Sequence, residues 1–303
     1  MRVAAFNTNG MQDQNKRREL VESFKKGRID VLGVGETHMR GQGSGEYGRG
    51  NECKIWEGMD GGVVWTGLDE EYKGRGKEGC AILLSPRVWK GKTEHGWNGS
   101  RIVWVKGKIG IVKYAWVCVY APVNMKTTKG KEEMKKFWKN LNECLSEFES
   151  ERKVIVMGDM NAKVGCEEIE GIVGKWGVPG MNENGEYLVD MCAERGLFLA
   201  NTFFEHKMIH RYTWRRSDTE EEQKGLIDYI AVDERLKTDV MDAKVVRGLF
   251  QGSDHFAVLA EIRTKVRWVH GTGNQEERKV VATERLNEEE CKIEYKRRLT
   301  SIK

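Results

Sequence analysis

Short apolar runs alternate with polar, glycine-bearing connections along most of the chain. Runs of roughly four to eight residues that are apolar throughout, or that alternate apolar and polar positions, are typical of β-strands. Eleven such runs predict strands at Val3–Phe6, Asp30–Val34, Gly62–Thr66, Cys80–Ser85, Ile102–Lys106, Tyr114–Tyr120, Val154–Met157, Leu197–Asn201, Tyr212–Trp214, Ile227–Val232 and Phe256–Ile262.

Helical periodicity separates several of these strands. The clearest case runs from Met134 to Phe148, where apolar residues recur at three- and four-residue spacing and predict an amphipathic helix. Residues 15–27 and 184–195 predict two more helices, and the glycine-rich segment Arg40–Gly61 is interpreted as a surface loop. Many strands with few long helices favour an α/β sandwich over a purely parallel wound sheet.

The pattern changes after Ile262. We therefore predict one domain over residues 1–263, followed by a charged, helical tail over residues 264–303. No apolar run approaches the roughly 20 residues that a membrane-spanning helix needs, so no membrane association is expected.

Composition restricts the class of protein. A hydrophobic content of 39% with ten tryptophans among 303 residues indicates a globular chain rather than a disordered one. The seven cysteines are odd in number and form no Cys-x-x-Cys pair, which favours a reduced intracellular compartment and argues against a thiolate zinc site.

The net charge of only +4 does not by itself indicate a nucleic-acid partner. Local clusters such as Lys16-Arg17-Arg18 are more suggestive, but for any single cluster a solvated helix face is the favoured explanation.

Polar and acidic residues follow or open several of the predicted strands. They occur in Asn7-Thr8-Asn9-Gly10, Gly35-Glu36-Thr37-His38, Tyr120-Ala121-Pro122, Gly158-Asp159-Met160-Asn161, Asp228-Tyr229 and Gly252-Ser253-Asp254-His255. Taken singly, most of them have a plainer explanation as a turn, a helix cap or a core tyrosine. Asp228 is harder to explain in this way, because an acid between two apolar strand residues needs a partner when it is buried. Their recurrence at strand ends, where binding and catalytic groups gather, favours one common site.

The residue types at these strand ends suit metal-assisted attack on a phosphodiester. Carboxylate and amide oxygens without a His/Cys cluster select Mg²⁺ or Mn²⁺ over zinc. A divalent cation neutralises charge on the phosphate while a carboxylate orients or deprotonates water. The chain contains no Gly-x-Ser-x-Gly motif, so a covalent intermediate is not indicated.

Seven motifs, in their order along the chain, resemble the endonuclease/exonuclease/phosphatase superfamily of magnesium-dependent phosphodiesterases. They are Asn-Thr-Asn-Gly (7–10), Glu-Thr-His (36–38), Tyr-Ala-Pro (120–122), Gly-Asp-Met-Asn (158–161), Tyr-Thr-Trp (212–214), Ile-Asp-Tyr-Ile (227–230) and Ser-Asp-His (253–255). Within the superfamily, the chain is most similar to the endonuclease domains of non-LTR retrotransposons and to craniofacial development protein 2-like chains. Abasic-site DNA endonucleases are the next most similar group.

The resemblance implies a four-layer α/β/β/α sandwich of two mixed sheets, with the site at one rim. It assigns Glu36, Asn7 and Asp254 to the metal ion, Mg²⁺ with Mn²⁺ as a possible substitute. It assigns catalytic roles to Asp159, Asn161, Asp228, His255 and Tyr120. In this assignment Asp159 activates water, Asp228 orients His255, and His255 contacts the scissile phosphate, which Tyr120 faces. Contacts to the substrate phosphate are carried over to Asn161, Asn9, Thr213 and Ser253.

The resemblance also predicts the activity, a Mg²⁺-dependent endonuclease that hydrolyses DNA by direct attack of water. The alternatives are a phosphatase or RNA phosphodiesterase on the same fold, and a nucleic-acid-binding or interaction module whose chemistry has been lost. DNA, or else RNA, is the expected partner, no obligate protein partner is indicated, and an intracellular, nuclear location is expected. The resemblance also implies a fragment of a mobile element, or a host protein derived from one, whose tail is the connector that precedes a reverse transcriptase.

One position departs from the family pattern. Gly35 stands where the superfamily usually has a glutamine before the metal-binding Glu36. That glutamine supports the ligand without being one, so its replacement does not require loss of activity.

Overall fold

Two β-sheets form the framework of the described chain. The computed structural model describes residues 1–46, 61–72, 74, 76–216 and 223–264. The strands are β1 Arg2–Asn7, β2 Val31–Gly35, β3 Gln42–Glu46, β4 Gly62–Thr66, β5 Cys80–Leu84, β6 Lys92–Asn98, β7 Ile102–Ile109, β8 Val112–Tyr120, β9 Lys153–Asp159, β10 Leu197–Leu199, β11 Trp214–Arg216, β12 Gln223–Gly225, β13 Asp228–Asp233, β14 Val240–Val246 and β15 Ala257–Ile262. The helices are α1 Gln14–Lys26, α2 Pro86–Lys90, α3 Thr128–Ser146 and α4 Glu183–Arg195.

The strands form two mixed sheets and one short hairpin. The first sheet has the order β14-β15-β1-β2-β5-β4-β3, and the second has the order β10-β13-β9-β8-β7-β6. Strands β11 and β12 pair separately. Each large sheet contains one parallel pair, β1 with β2 and β8 with β9.

Three apolar cores divide the molecule into layers. The central core lies between the sheets and includes Val3, Ile82, Trp116 and Met157. On the outer face of the first sheet, α1 packs its buried residues Leu20, Val21 and Phe24. On the outer face of the second sheet, α3 and α4 contribute Met134, Leu141, Leu188 and Met191. The predicted four-layer α/β/β/α sandwich is therefore confirmed.

The local sequence explains where helices α3 and α4 begin. The Thr127 side chain caps α3 by accepting from the Gly130 amide, and Asn182 caps α4 by accepting from the Gly185 amide. Such caps satisfy backbone donors that have no partner within the helix. Helix α4 ends at Gly196, whose φ of 61° is the left-handed conformation that glycine adopts without strain.

The strand registers bring the polar strand ends to one rim. In the first sheet Asn7 lies beside Gly35, immediately before Glu36. In the second sheet Asp159 lies between Tyr120 on β8 and Asp228 on β13. Because the ends of parallel strands meet at the same edge, the motifs on β1, β2, β8 and β9 converge.

The interpretation of Arg40–Gly61 as a loop throughout was wrong for its first part. Residues 42–46 form β3, which pairs antiparallel with β4 at one edge of the first sheet. An edge strand is paired on one side only and does not need an apolar run. Gly43 fits this position because a β-carbon there would lie 2.4 Å from the Trp65 ring. Residues 47–60 lie outside the described part of the chain.

The predicted tail, residues 264–303, lies outside the described residues apart from its first residue. The domain boundary near residue 263 therefore stays a prediction. Among the described residues, we find no helix that is both long enough and apolar enough to span a membrane.

Candidate active site

A cleft of about 510 Å³ opens at the rim where the polar strand ends converge. Its lining includes seven of the predicted site residues: Asn9, Glu36, Tyr120, Asp159, Asn161, Asp254 and His255. These residues come from both sheets and from positions up to about 245 residues apart in the chain. The fold thus brings these seven residues together at one rim.

Asn7 connects the two sheets at the floor of the cleft. Its Nδ2 donates to Glu36 Oε2 at 3.1 Å and to Asp159 Oδ2 at 2.8 Å. Both carboxylates thus lie within hydrogen-bonding reach of one amide nitrogen. All three side chains are buried or nearly so, which strengthens their electrostatic interactions.

Two buried carboxylates and one imidazole lie next to Asn7. Asp159 and Asp228 are direct neighbours on antiparallel strands, and His255 Nδ1 lies 2.9 Å from Asp228 Oδ2. His255 Nε2 is 4.0 Å from Asp159 Oδ2. The potential ligand atoms of Asp159, Asp228 and His255 all lie within 4.8 Å of one another. Adjacent like charges destabilise a fold unless a cation compensates them, and here a charged imidazole would do so.

The cluster shifts the proton affinities of its members. Burial and then the negative charge of Asp228 raise the pKa of the Asp159 carboxyl. Burial alone would lower the pKa of His255, but Asp228, Asp159 and Asp254 together raise it to about 10. His255 is therefore an imidazolium at neutral pH in the metal-free protein, with one N–H directed at Asp228.

Asn161 supports the carboxylate of Asp159 from the loop that follows β9. The Asn161 amide N donates to Asp159 Oδ1 at 2.8 Å, and its Nδ2 donates to the Ala121 carbonyl at 2.9 Å. This side chain therefore links the Asp159 loop to the loop after Tyr120. Asn161 Nδ2 also lies 3.4 Å from Asp159 Oδ2, and the residue lines the cleft.

Backbone strain is concentrated at the same rim. Five non-glycine residues in the described chain have positive φ, and four of them are Asn9, Glu36, His38 and Asn161. Such conformations cost about 1–3 kcal/mol each and persist where surrounding contacts hold them, often at functional sites. Three of the four, Asn9, Glu36 and Asn161, line the cleft.

Tyr120 forms one wall. Burial, and then the charges of Glu36 and Asp159, raise the pKa of its hydroxyl, so the phenol stays protonated. The Arg101 guanidinium lies 5.3 Å from the centre of the Tyr120 ring, within the range of a cation–π interaction. The hydroxyl is therefore available as a hydrogen-bond donor beside Glu36.

Two more of the predicted residues, Asp254 and Ser253, differ in their exposure at the rim. Asp254 is exposed, accepting from Trp214 Nε1 at 2.9 Å and from Asn9 Nδ2 at 3.5 Å. Ser253 donates to the Asn7 carbonyl at 2.8 Å and accepts from the His255 amide at 3.1 Å. Its hydroxyl thereby connects β1 to the segment that carries His255.

Thr213 is not brought to the cleft surface. It is fully buried, and its hydroxyl oxygen accepts from the amides of Ile227 and Asp228 at 3.0 and 3.1 Å. From this position it supports the backbone of Asp228 and does not reach a phosphate in the cleft. The phosphate contact that the resemblance implied for Thr213 is therefore not made from the conformation observed.

Several residues near the site were not predicted as members of it. His38 Nε2 lies 3.3 Å from Glu36 Oε1, and the Trp214 indole holds Asp254. Lys77 and Lys163 add positive charge to the lining. Glu-Thr-His and Tyr-Thr-Trp were motifs of the resemblance, so His38 and Trp214 had a signal, whereas the lysines had none.

The donor set fits a hard divalent cation. Glu36 and Asp159 supply carboxylate oxygens beside the Asn7 amide, and Asp228 Oδ1 is buried without a hydrogen-bond partner in the described chain. Oxygen-rich sets with few nitrogens are typical of Mg²⁺ and Mn²⁺ sites. A cation here would offset the repulsion between the acidic groups, which otherwise raises the pKa of Asp159.

Solved structures of two nucleases are similar in fold. The endonuclease domain of TRAS1, a telomere-specific non-LTR retrotransposon, superposes with a TM-score of 0.57 and 14% identity. The alignment covers 87% of this chain and 99% of that domain. The AP endonuclease LMAP from Leishmania major gives a TM-score of 0.64 and 15% identity, covering 87% of this chain and 88% of that one.

Two sequence relatives are both called craniofacial development protein 2. The protein from Tragulus javanicus is 29% identical over 222 residues, which is 69% of this chain and 38% of that protein. The protein from Bos taurus is 26% identical over 271 residues, which is 89% of this chain and 42% of that protein. The chain thus spans about two fifths of the length of these relatives.

A family profile covers most of the sandwich. The profile of the Endonuclease/Exonuclease/phosphatase family matches residues 4–255, from β1 to the histidine of the candidate site. The order of motifs along the sequence, the two-sheet fold and the shared rim agree with this match. The chain therefore belongs to the Endonuclease/Exonuclease/phosphatase family.

Proposed function

We propose that the chain is a Mg²⁺-dependent endonuclease that hydrolyses a DNA phosphodiester by direct attack of water, leaving a 3′ hydroxyl. The observation that carries the proposal is the convergence of Asn7, Glu36, Asp159, Asp228 and His255 in one cleft. In this proposal the nicking activity is of the retrotransposon type.

Asp159 is the group that we assign to the attacking water. Its carboxylate is fixed by the Asn7 side chain and the Asn161 amide, so its free lone pairs have a defined direction. Burial and Asp228 raise its pKa, which makes it a stronger base than an exposed aspartate. Asp159 thus orients the water and accepts a proton from it.

His255 is assigned to the phosphate. With Nδ1–H donated to Asp228, the Nε2–H is left to point toward the cleft, where it donates to a non-bridging phosphate oxygen. The positive charge of the imidazolium stabilises the negative charge that accumulates in the transition state. Tyr120 and Asn161 line the same cleft and supply further donors to the phosphate.

The bound Mg²⁺ would supply charge neutralisation at the phosphate and the leaving oxygen. Glu36 is the residue that we assign to hold it, with Asn7 and Asp254 beside it. The Glu36 carboxylate is fixed by Asn7 on one side and lies 3.3 Å from His38 on the other.

DNA is the proposed substrate. Lys77, Lys163 and Arg216 line the cleft, and lysine and arginine side chains contact phosphate in most protein–DNA interfaces. Because binding through phosphates releases counterions, the KM for DNA should rise steeply with salt.

Nicking of supercoiled plasmid in Mg²⁺ tests the proposal. The wild type, Asp159→Ala and His255→Ala are compared, with Glu132→Gln, at an exposed position on α3, as the control. We expect nicking by the wild type and the control, and a loss of roughly 10²-fold or more in the two site variants. A polymerase that extends the nick without end repair would identify the 3′ hydroxyl. Equal nicking by all four proteins would refute the proposed site.

A substrate panel separates this proposal from the alternatives on the same fold. Cleavage of RNA or of a phosphomonoester, with DNA untouched, would identify an RNA phosphodiesterase or a phosphatase. DNA binding that persists without nicking or magnesium binding would identify a binding module.

A further inference from the structure

One buried amide joins the loop that follows Tyr120 to the loop that follows Asp159 and carries Asn161. Asn184, in the first turn of α4, is fully buried behind the cleft. Its Nδ2 donates to the Pro122 carbonyl at 2.9 Å and to the Asn161 carbonyl at 3.2 Å. The same nitrogen thus contacts the loop after β8 and the loop after β9.

The orientation of this amide is fixed by the neighbouring helix. Trp138 Nε1 on α3 donates to Asn184 Oδ1 at 2.8 Å. The Trp138 ring is itself held, edge-on to Phe137 and stacked on Tyr187. Because an indole N–H only donates, it selects the amide oxygen and leaves the NH₂ group for the two loops.

The Asn161 backbone needs such support. Its φ of 45° is left-handed, a conformation that a non-glycine residue holds only when its surroundings enforce it. Asn182 Nδ2 also donates to the Asn161 carbonyl, at 3.0 Å, while its Oδ1 caps α4. The Asn161 carbonyl is therefore held by two side chains from the start of α4.

We propose that Asn184 is a positioning residue of the active site, acting on Asp159 through Asn161. This inference rests on the proposed function. The Asn161 amide fixes one oxygen of Asp159, and the Asn161 side chain reaches back to the Ala121 carbonyl. Asn184 links the same two loops a second time, through the Pro122 and Asn161 carbonyls. It therefore sets the distance between Tyr120, in the wall of the cleft, and the carboxylate of Asp159.

Three variants separate positioning from simple support of the fold. Asn184→Asp keeps the size and the acceptor for Trp138 but loses both donors to the loops. Trp138→Phe keeps an aromatic ring in place and removes the N–H that orients Asn184, which provides a second route if Asn184→Asp does not fold. Leu188→Ala is the matched control, since Leu188 is a fully buried residue on the same helix that faces the apolar core.

The expected effect is on kcat. Small misplacement of a reacting group costs up to about 10²-fold, so we expect Asn184→Asp to lower kcat for plasmid nicking by about 10- to 100-fold. Trp138→Phe should lower kcat less, and in both variants KM should stay close to the wild-type value. Leu188→Ala should lower the melting temperature and leave kcat unchanged when assayed well below it.

Hydrogen exchange of the Asn161 amide supplies a readout that does not require activity. This amide is bonded to Asp159 Oδ1, and we expect it to exchange faster in Asn184→Asp and Trp138→Phe than in Leu188→Ala at equal global stability. Unchanged exchange at Asn161 would overturn the inference even if kcat fell, and faster exchange with an unchanged kcat would overturn it too. If the wild type does not nick DNA, the proposed function fails, and the exchange result alone decides whether Asn184 positions Asn161.

Discussion

The pairing of Asp159 with Asp228 across two antiparallel strands is the least ordinary feature at the scale of single residues. Both carboxylates are almost fully buried, and directly opposed like charges weaken a sheet. His255 lies between them, 2.9 Å from one and 4.0 Å from the other. A protonated imidazole, or a cation in its place, therefore offsets the repulsion between the two carboxylates.

Replacement of Asp228 by asparagine should lower the pKa of His255. Asp228 is the strongest of the groups that raise this pKa to about 10, and burial opposes them. In Asp228→Asn, burial should prevail and the pKa should fall toward or below the ordinary value of 6.5. Titration of the His255 ring by NMR in EDTA measures the change directly. A His255 pKa that stays near its wild-type value in the variant would contradict this account of the pair.

The same pair predicts how stability varies with pH. A raised folded-state pKa stabilises the protein fully below the unfolded value of 6.5, and this stabilisation is lost as the pH rises toward about 10. Chemical denaturation in EDTA should therefore show a difference between wild type and Asp228→Asn that shrinks from pH 6.5 to pH 10. Buried thiols and tyrosines also ionise in this range, but they are common to both proteins. A constant difference would contradict the prediction.

Thr213 offers a test of support beneath the site. Its hydroxyl oxygen accepts from the Ile227 and Asp228 amides, and Thr213→Val would leave both donors buried without this acceptor. The cost should be about 1–3 kcal/mol in unfolding free energy, with a fall in nicking. Thr213→Ser keeps the hydroxyl and serves as the control, with a smaller loss measured by the same denaturation. Equal loss in both variants would show that the hydroxyl contributes no more to stability than the methyl group, which would contradict the prediction.

The sequence could identify a site residue only where that residue belongs to a recognisable motif. Glu36, Asp159 and His255 stand at the ends or beginnings of apolar runs, where the sequence alone indicates exposure at a sheet rim. Asn184 has no such signal, because it lies inside a helical pattern and its partners are carbonyl groups. Its importance depends on how α4 packs behind two loops, and that packing is set by residues far apart in the chain.

At the scale of elements, the sequence predicted central strands better than edge strands. Strands such as β8 and β9 are buried on both faces, so their apolar runs are nearly continuous. The strands that were missed are β3, β6, β12 and β14. Three of them, β3, β6 and β14, lie at the edges of the large sheets, where exposed positions interrupt the apolar pattern, and β12 belongs to the separate hairpin. Helices α1, α3 and α4 were predicted because each has one apolar stripe facing a sheet.

Gly158 shows how tightly β8 and β9 must approach at the site. Its φ is 140°, and a β-carbon would lie 2.0 Å from the Val119 carbonyl oxygen. Gly158→Ala should therefore displace β9 beside Asp159, cost more than the usual 1 kcal/mol or so of backbone strain, and abolish nicking. Gly99→Ala is the matched control, because Gly99 has a φ of 63° and open space around it. Thermal unfolding of both variants checks the prediction, and equal destabilisation would show that the close contact is relieved at little cost.

At the scale of the whole molecule, the candidate site lies at the interface between the two sheets and is built from residues of both. Asn7 and Glu36 come from the first sheet, whereas Tyr120, Asp159 and Asp228 come from the second. The 2.8 Å bond from Asn7 to Asp159 crosses between the sheets at the rim. The sequence could indicate two sets of strand ends, but the stacking that faces them toward each other is a property of the central core. Because acidic groups lie on both sides of this interface, a cation bound there should change the stability of the folded protein.

Magnesium should therefore stabilise the folded protein, because Glu36 and Asp254, the carboxylates that we assign to it, come together at the cleft only in the native state. At a Mg²⁺ concentration ten times the dissociation constant, the linkage gives about 1.4 kcal/mol and a rise of a few degrees in Tm. Glu36→Gln keeps an acceptor for Asn7 but loses the charge, so its Tm should respond less. Glu194→Gln, on the exposed side of α4, should respond like the wild type. The measurement compares MgCl₂ with NaCl at equal ionic strength, since screening alone also changes Tm. If wild type and Glu36→Gln gain the same Tm from Mg²⁺, the cation binds elsewhere and the assignment of Glu36 is wrong.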